Sequence, residues 1–81
     1  MEVFYSKEFS EDIKKIRERD LQERIKKVAQ KIIDNPEVGK PLRYNLAGLR
    51  TIWIPPFRII YEIAEEKIIL HKFEHRKSVY G

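Results

Sequence analysis

The spacing of apolar residues changes once along this chain, and the change limits the folds that are open to it. Up to Asp34, apolar residues recur every three or four positions, as they do on one face of an α-helix. From Leu49 they alternate with other residues, as in a strand that buries one face. The sequence therefore predicts an α+β fold in which helices precede most of the strands.

A short strand and a first helix are predicted at the start of the chain. Residues 3–5 are apolar and β-prone, and Ser6 offers a hydroxyl that can cap a helix. Phe9, Ile13 and Ile16 follow at helical spacing, with charged residues on the other face. We therefore expect a helix whose apolar face meets the core.

A second helix is the clearest element of the sequence. Apolar residues at helical spacing run without a break through residues 21–33. Asp20 and Glu23 resemble a capping box at its start, and Pro36 disfavours the helical conformation at the residue before it. The helix is expected to end near Asp34. Because only a few residues join the two helices, an antiparallel helical pair is predicted.

Three antiparallel strands are predicted after a loop over residues 35–48. The strands are expected at residues 49–54, 57–63 and 68–73. Pro55-Pro56 and a polar hairpin at 64–67 separate them, and such short connections make antiparallel neighbours. The order β-α-α-β-β-β predicts a helical hairpin packed on a small, mainly antiparallel sheet, in a single domain over residues 1–81.

Composition narrows the class of protein. With 81 residues, 42% of them apolar and 37% charged, the chain fits one globular domain better than a disordered segment. The absence of cysteine and the presence of only two histidines argue against disulfides and structural zinc. No apolar run approaches the roughly 18 residues of a membrane span, so a cytoplasmic protein without a membrane partner is expected. Abundant Ile, Lys, Glu and Arg favour a thermophilic source.

The positive charge of the chain is unevenly placed. The chain carries 17 basic and 13 acidic residues, a net charge of +4. Residues 1–38 hold equal numbers of both kinds, so the whole excess lies in residues 39–81. Residues 38–61 contain no acidic residue but include Lys40, Arg43, Arg50 and Arg58. An uncompensated basic surface favours a polyanionic partner, either nucleic acid or an acidic protein, with a plain solvated surface as the alternative.

Arg58 is the first candidate site residue because it interrupts an otherwise apolar strand. Alternation places it on the face of Ile60 and Glu62, opposite Phe57. If the helices cover the Phe57 face, Arg58 lies on the open face of the sheet. The alternative is an edge arginine that pairs with Glu62.

The segment from Glu74 to Tyr80 brings together His75, Arg76 and a phenol. Histidine exchanges protons near neutral pH, whereas arginine stays protonated and can grip a phosphate with two bonds. Such groups suit RNA cleavage without a metal, in which a 2′-hydroxyl attacks the adjacent phosphate and cations stabilise the added charge. Trp53 is suited to stacking on a base, although tryptophan is more often part of a core.

A series of short motifs runs in order along the chain. They are Asn35-Pro36, Gly39-Lys40-Pro41-Leu42, Leu46-Ala47-Gly48-Leu49-Arg50, Phe57-Arg58-Ile59-Ile60-Tyr61-Glu62 and His75-Arg76…Val79-Tyr80. Together they resemble the RelE/ParE superfamily of type II toxin–antitoxin toxins, whose order of elements is the one predicted.

The RelE branch implies a ribosome-dependent mRNA interferase that cuts the codon in the ribosomal A site without metal or cofactor. By position, Arg58 matches the arginine that contacts the reacting phosphate, and Tyr80 matches the terminal tyrosine that stacks on a base or acts as base. His75 or Arg76 matches a second basic position. The residues then expected to hold the RNA backbone are Lys40, Arg43 and Arg50.

One departure from that branch leaves the activity open. RelE enzymes carry a pair of lysines where this chain has residues 50–54, with Arg50 the only basic residue, so His75 is the natural substitute for proton transfer. A ParE-like inhibitor of DNA gyrase and an inactive binding member are the alternatives. Either toxin implies an antitoxin as partner, with operator DNA bound only through the toxin–antitoxin complex.

Overall fold

Strands and helices follow one another along the chain in the predicted order. The computed structural model describes residues 1–79, without the side chains of residues 78 and 79. Its strands are β1 (Glu2–Tyr5), β2 (Lys40–Pro41), β3 (Leu49–Ile54), β4 (Phe57–Ala64) and β5 (Lys67–His75). Its α-helices are α1 (Lys7–Lys14) and α2 (Arg19–Asp34). Neither of these two helices is long and apolar enough to cross a membrane.

Over residues 1–79 the strands form one mixed sheet in the order β1-β5-β4-β3-β2. The parallel pair is β1 with β5, and the other neighbours are antiparallel. The predicted α+β architecture is therefore confirmed. The predicted loop over residues 35–48 needs a correction, because Lys40 and Pro41 pair with Thr51 and Arg50 and add a short edge strand.

Both helices pack on one face of the sheet, α1 against β5 and α2 against β3. The core lies between the helices and the sheet and is apolar. Its buried members are Phe9, Leu21, Ile25, Ile32, Ile54, Ile59, Tyr61, Ile68, Leu70 and Phe73. Removing such side chains from water stabilises the fold by roughly 1.5–3 kcal/mol each.

The helix boundaries differ in detail from the predicted ones. Ser6 caps α1 as expected, since its Oγ accepts a hydrogen bond from Phe9 N at 2.9 Å. Ile16 lies beyond the end of α1, in the connection to α2. The predicted capping box is wrong, because α2 begins after Glu18 and Asp20 lies inside its first turn.

The sheet has a helix face, which carries Ile59 and Tyr61, and an open face, which carries Arg58 and Ile60. The β4–β5 register shifts between Ile60 and Tyr61, whose partners are Lys72 and Leu70. One extra residue on β5, His71, lies between those partners and forms a β-bulge. Beyond the bulge, each residue of β5 lies on the face of the sheet opposite to the one that strict alternation would give it. The bulge therefore determines which side chains at the end of β5 lie on the open face.

Candidate functional site

Arg58 lies on the open face, as predicted, but it is buried there, with 8% of its surface exposed. Its partner is Glu74, directly opposite on β5, which accepts from Arg58 Nε at 2.9 Å and from Nη2 at 2.8 Å. The predicted alternative of a pair with Glu62 is wrong. Glu62 instead contacts His71, with 2.8 Å between Oε1 and Nε2.

Trp53 covers the other side of Arg58. The two residues face each other across β3 and β4, and the guanidinium carbon lies 5.8 Å from the centre of the indole ring. This distance is within the range of a cation–π contact. Trp53 is 46% exposed, so the expectation that it belongs to the core is wrong.

Arg76 joins this group from the segment after β5. Its backbone N donates to Pro56 O at 2.8 Å, which ties the end of β5 to the turn between β3 and β4. Together with Trp53, Pro55 and Pro56 it lines a cavity of about 370 Å³. The open face therefore brings Arg58, Trp53 and Arg76 to the same end of the sheet.

His75 does not join Arg58 on the open face. It faces Phe57 across the β4–β5 pair, and the two rings meet edge-on with their centres 5.1 Å apart. Phe57 packs against the core, so His75 lies on the helix face. There it lines a second cavity, of about 660 Å³, between the helices and the end of the sheet. Its ring Nδ1 accepts from Lys77 N at 3.0 Å.

The three cations predicted to hold RNA take different positions. Lys40 is exposed and pairs with Thr51, so it lies on the open face. Arg43 is exposed in the loop after β2. Arg50 lies on the helix face opposite Tyr61, and its Nη1 donates to Glu37 O at 3.1 Å and to Gly39 O at 2.8 Å. Arg50 therefore anchors the loop between α2 and β2.

Tyr61 also anchors the loop between α2 and β2, through its hydroxyl. Its hydroxyl donates to Pro36 O at 2.6 Å and accepts from Gly39 N at 2.8 Å. Burial raises the pKa of Tyr61, while the Gly39 bond and the charge of Arg50 act in the opposite direction. A Cβ on Gly39 would lie 2.5 Å from the Tyr61 oxygen, so this close contact requires glycine.

Sequence reasoning missed Glu74 and His71. Glu74 neutralises Arg58, and His71 is an imidazole on the open face whose ring is held by Glu62. Only the register of β4 with β5 reveals either relationship, and an apolar pattern does not specify a bulge. The predicted residue Tyr80 lies outside the described residues.

The group around Arg58 is suited to binding a planar ring next to an anion. Trp53 presents an exposed indole, while Arg58 and Arg76 supply guanidinium cations. The Glu74 carboxylate already occupies two N–H groups of Arg58, so an incoming phosphate must compete with it or bind the remaining edge of the guanidinium.

Solved structures of toxin–antitoxin complexes share this fold. The RelBE2 complex of Mycobacterium tuberculosis is 27% identical, with a TM-score of 0.78, and the match covers 93% of this chain and 96% of that one. The RelB–RelE complex of Methanococcus jannaschii is 23% identical, with a TM-score of 0.76 and coverages of 95% and 94%. The DinJ–YafQ complex of Escherichia coli is 21% identical, with a TM-score of 0.79 and coverages of 99% and 98%.

Sequence comparison gives the family. A search of curated protein sequences finds no match. Residues 3–80 match the profile of the family described as "ParE toxin of type II toxin-antitoxin system, parDE". This match spans nearly the whole chain and agrees with the fold and with the motifs from Asn35 to Tyr80. The chain therefore belongs to the ParE toxin family and is the toxin of a type II toxin–antitoxin module of the RelE/ParE superfamily.

Proposed function

We propose that the protein is a ribosome-dependent endoribonuclease that cuts mRNA in the A site and so inhibits translation in the cytoplasm. The observation that supports this most is the grouping of Arg58, Trp53 and Arg76 at one end of the open face. Two permanent cations suit the phosphate of an RNA strand, and an exposed indole suits a base. Lys40 on the same face and Arg43 nearby in sequence extend the basic surface toward the RNA backbone.

The proposed reaction needs no metal or cofactor. The ribose 2′-hydroxyl gives up its proton to a base as its oxygen attacks the adjacent phosphorus. The bond from phosphorus to the 5′-oxygen breaks, and that oxygen takes a proton from an acid, so the products are a 2′,3′-cyclic phosphate and a 5′-hydroxyl. Arg58 and Arg76 stabilise the negative charge that gathers on the phosphate oxygens. Proton transfer by His75 and by Tyr80 stays a prediction, and the position of His75 on the helix face gives no support to it.

We also infer that a cognate antitoxin inhibits the protein, because several of the similar structures, including the three described above, are toxin–antitoxin complexes. The basic open face suits an acidic segment of that partner, which would occupy the position of the RNA. Operator DNA would then be bound by the complex rather than by the toxin alone.

Cell-free translation followed by primer extension on the message tests the nuclease. The wild-type protein should cut the message within ribosome-bound codons, and cutting should be lost when Arg58→Lys, which keeps the charge but not the two-bond geometry, is combined with Tyr80→Phe. Lys27→Gln, on the exposed face of α2, is the matched control and should cut normally. Intact message with folded wild-type protein would refute the proposal, as would undiminished cutting by the double variant.

A ParE-like inhibitor of DNA gyrase is the second candidate. It is favoured by the family description and by the position of His75, which the structure separates from Arg58. A supercoiling assay with purified gyrase distinguishes the two candidates. Inhibited supercoiling together with intact message would select this function. Intact message and normal supercoiling, with no growth arrest when the folded protein accumulates in cells, would indicate an inactive binding member.

A further inference from the structure

The cavity beside the turn between β3 and β4 has the size of a site for one ring system. It measures about 370 Å³ and is lined by Trp53, Pro55, Pro56 and Arg76. Pockets that hold small molecules run from about 300 to 1,000 Å³, so this one lies at the small end. This volume is large enough for one flat bicyclic or monocyclic group.

The lining of the cavity combines three residues with apolar rings and one cation. The indole of Trp53 and the proline rings offer planar or near-planar apolar surfaces, and Arg76 brings a guanidinium that stacks readily on an aromatic ring. The backbone bond from Arg76 N to Pro56 O fixes the base of that side chain against the turn. Such walls favour a flat, polarisable ring with hydrogen-bond acceptors at its edge.

Arg58, next to the cavity, narrows the chemical class of the ligand further. Arg58 lies against the indole of Trp53, with 5.8 Å between the guanidinium carbon and the ring centre. A ligand whose ring stacks on Trp53 therefore places its substituent close to a second cation. A flat ring with an adjoining anion is the chemical description of a nucleotide.

We propose that this cavity binds a single nucleobase, stacked on Trp53 and covered by Arg76, while Arg58 contacts the adjoining phosphate. The site deepens the proposed nuclease function, and its biological role rests on that function. The binding itself requires neither a ribosome nor cleavage. Its failure and the failure of the nuclease can therefore be observed separately.

Trp53 is the only tryptophan of the chain, so its fluorescence reports on the site directly. Adenosine 5′-monophosphate should quench the emission in a saturable way, whereas ribose 5-phosphate, which has the anion but no base, should not. Arg76→Gln should raise the dissociation constant at least about fivefold, the lower bound for loss of one stacking partner. Lys27→Gln, exposed on α2, should leave it unchanged.

A second measurement removes Trp53 itself. With 2-aminopurine riboside 5′-monophosphate as the fluorescent probe, Trp53→Phe should keep most of the affinity and Trp53→Leu should lower it at least about fivefold. Circular dichroism of each variant excludes unfolding as the cause. Equal quenching of the wild type by ribose 5-phosphate and by the nucleotide would overturn the proposal. Quenching only by a blocked peptide that carries one phenylalanine between two aspartates would overturn it too, and would assign the cavity to a protein partner.

Discussion

Glu74 on β5 holds Arg58 on β4 through a single carboxylate oxygen, which accepts from Nε at 2.9 Å and from Nη2 at 2.8 Å. Both side chains are largely buried, so each charge depends on the other for compensation. The pair should therefore stabilise the fold and, under the proposed function, should oppose the binding of a phosphate at Arg58.

Glu74→Gln should lower the free energy of unfolding by roughly 3 kcal/mol, because it leaves the buried charge of Arg58 without its counter-ion. Urea denaturation followed by circular dichroism measures the change. Adding Arg58→Met in the same chain should recover part of the loss, since the stranded charge is then gone. A Glu74→Gln protein as stable as the wild type would contradict the contact.

The same substitution should strengthen RNA binding under the proposed function. Because the neutral amide oxygen of this variant is a weaker acceptor than the carboxylate, Arg58 can offer its engaged N–H groups more readily to a phosphate, a gain of roughly fivefold, equivalent to about 1 kcal/mol. Filter binding of a 2′-O-methylated RNA, which cannot be cut by the proposed attack, measures it. The control is Glu11→Gln, exposed on α1, which removes the same charge away from the site. Equal affinities of the two variants would count against a phosphate at Arg58.

Tyr61→Phe should destabilise the protein by about 1–3 kcal/mol. The hydroxyl bonds to both Pro36 O and Gly39 N, and its removal leaves one part-buried and one buried backbone group without that partner. Thermal and urea unfolding both measure the effect. The phenylalanine fills nearly the same volume, so a stability equal to the wild type would show that the two hydrogen bonds contribute nothing net.

The raised pKa of Tyr61 predicts a loss of stability at alkaline pH. In the unfolded chain the phenol ionises near pH 10, whereas in the folded chain burial holds the proton to a higher pH. The contribution is thus fully present below pH about 10 and is lost as pH rises through the folded pKa. Unfolding free energies measured across this range should fall less steeply in Tyr61→Phe than in the wild type. Parallel curves would contradict the assignment.

Substitutions in the hairpin between β4 and β5 should stabilise the protein. Its two central residues, Glu65 and Glu66, have φ angles of 49° and 66°, which cost a side chain with a Cβ roughly 1–2 kcal/mol each. Asn-Gly is the preferred pair in such a turn, so Glu65→Asn with Glu66→Gly should raise the melting temperature by roughly 4–8 °C. Glu65→Gln with Glu66→Gln removes the same charges without changing the backbone preference and should gain less. Equal shifts would assign the gain to charge.

The order of elements was predictable because apolar residues keep one spacing in each part of the chain. They recur every three or four positions up to Asp34 and alternate from Leu49. The stripe of residues 21–33 requires a helix, and Pro36 ends it, as the structure confirms with α2 at Arg19–Asp34. The start of α2 was less predictable than that of α1, because Glu18 precedes its first turn without a side-chain cap and so leaves no signal in the sequence.

The site was less predictable than the fold, and one residue explains much of the difference. Strict alternation from Ile68 and Leu70 would place His75 on the open face with Arg58. The bulge at His71 reverses the alternation, so that Phe73 returns to the core and His75 follows it to the helix face. A bulge depends on how two strands meet, and a single strand's sequence does not specify it.

Within residues 1–79, the first strand, β1, pairs with the last strand, β5. β1 pairs with residues 67–70 of β5, and Ser6 just after it bonds to the backbone of Leu70 and His71. The counter-ion of Arg58, Glu74, also lies on β5. While only residues 1–66 have been synthesised, β1 and Arg58 therefore lack these partners, and the sheet can close on β1 only after β5 has been made.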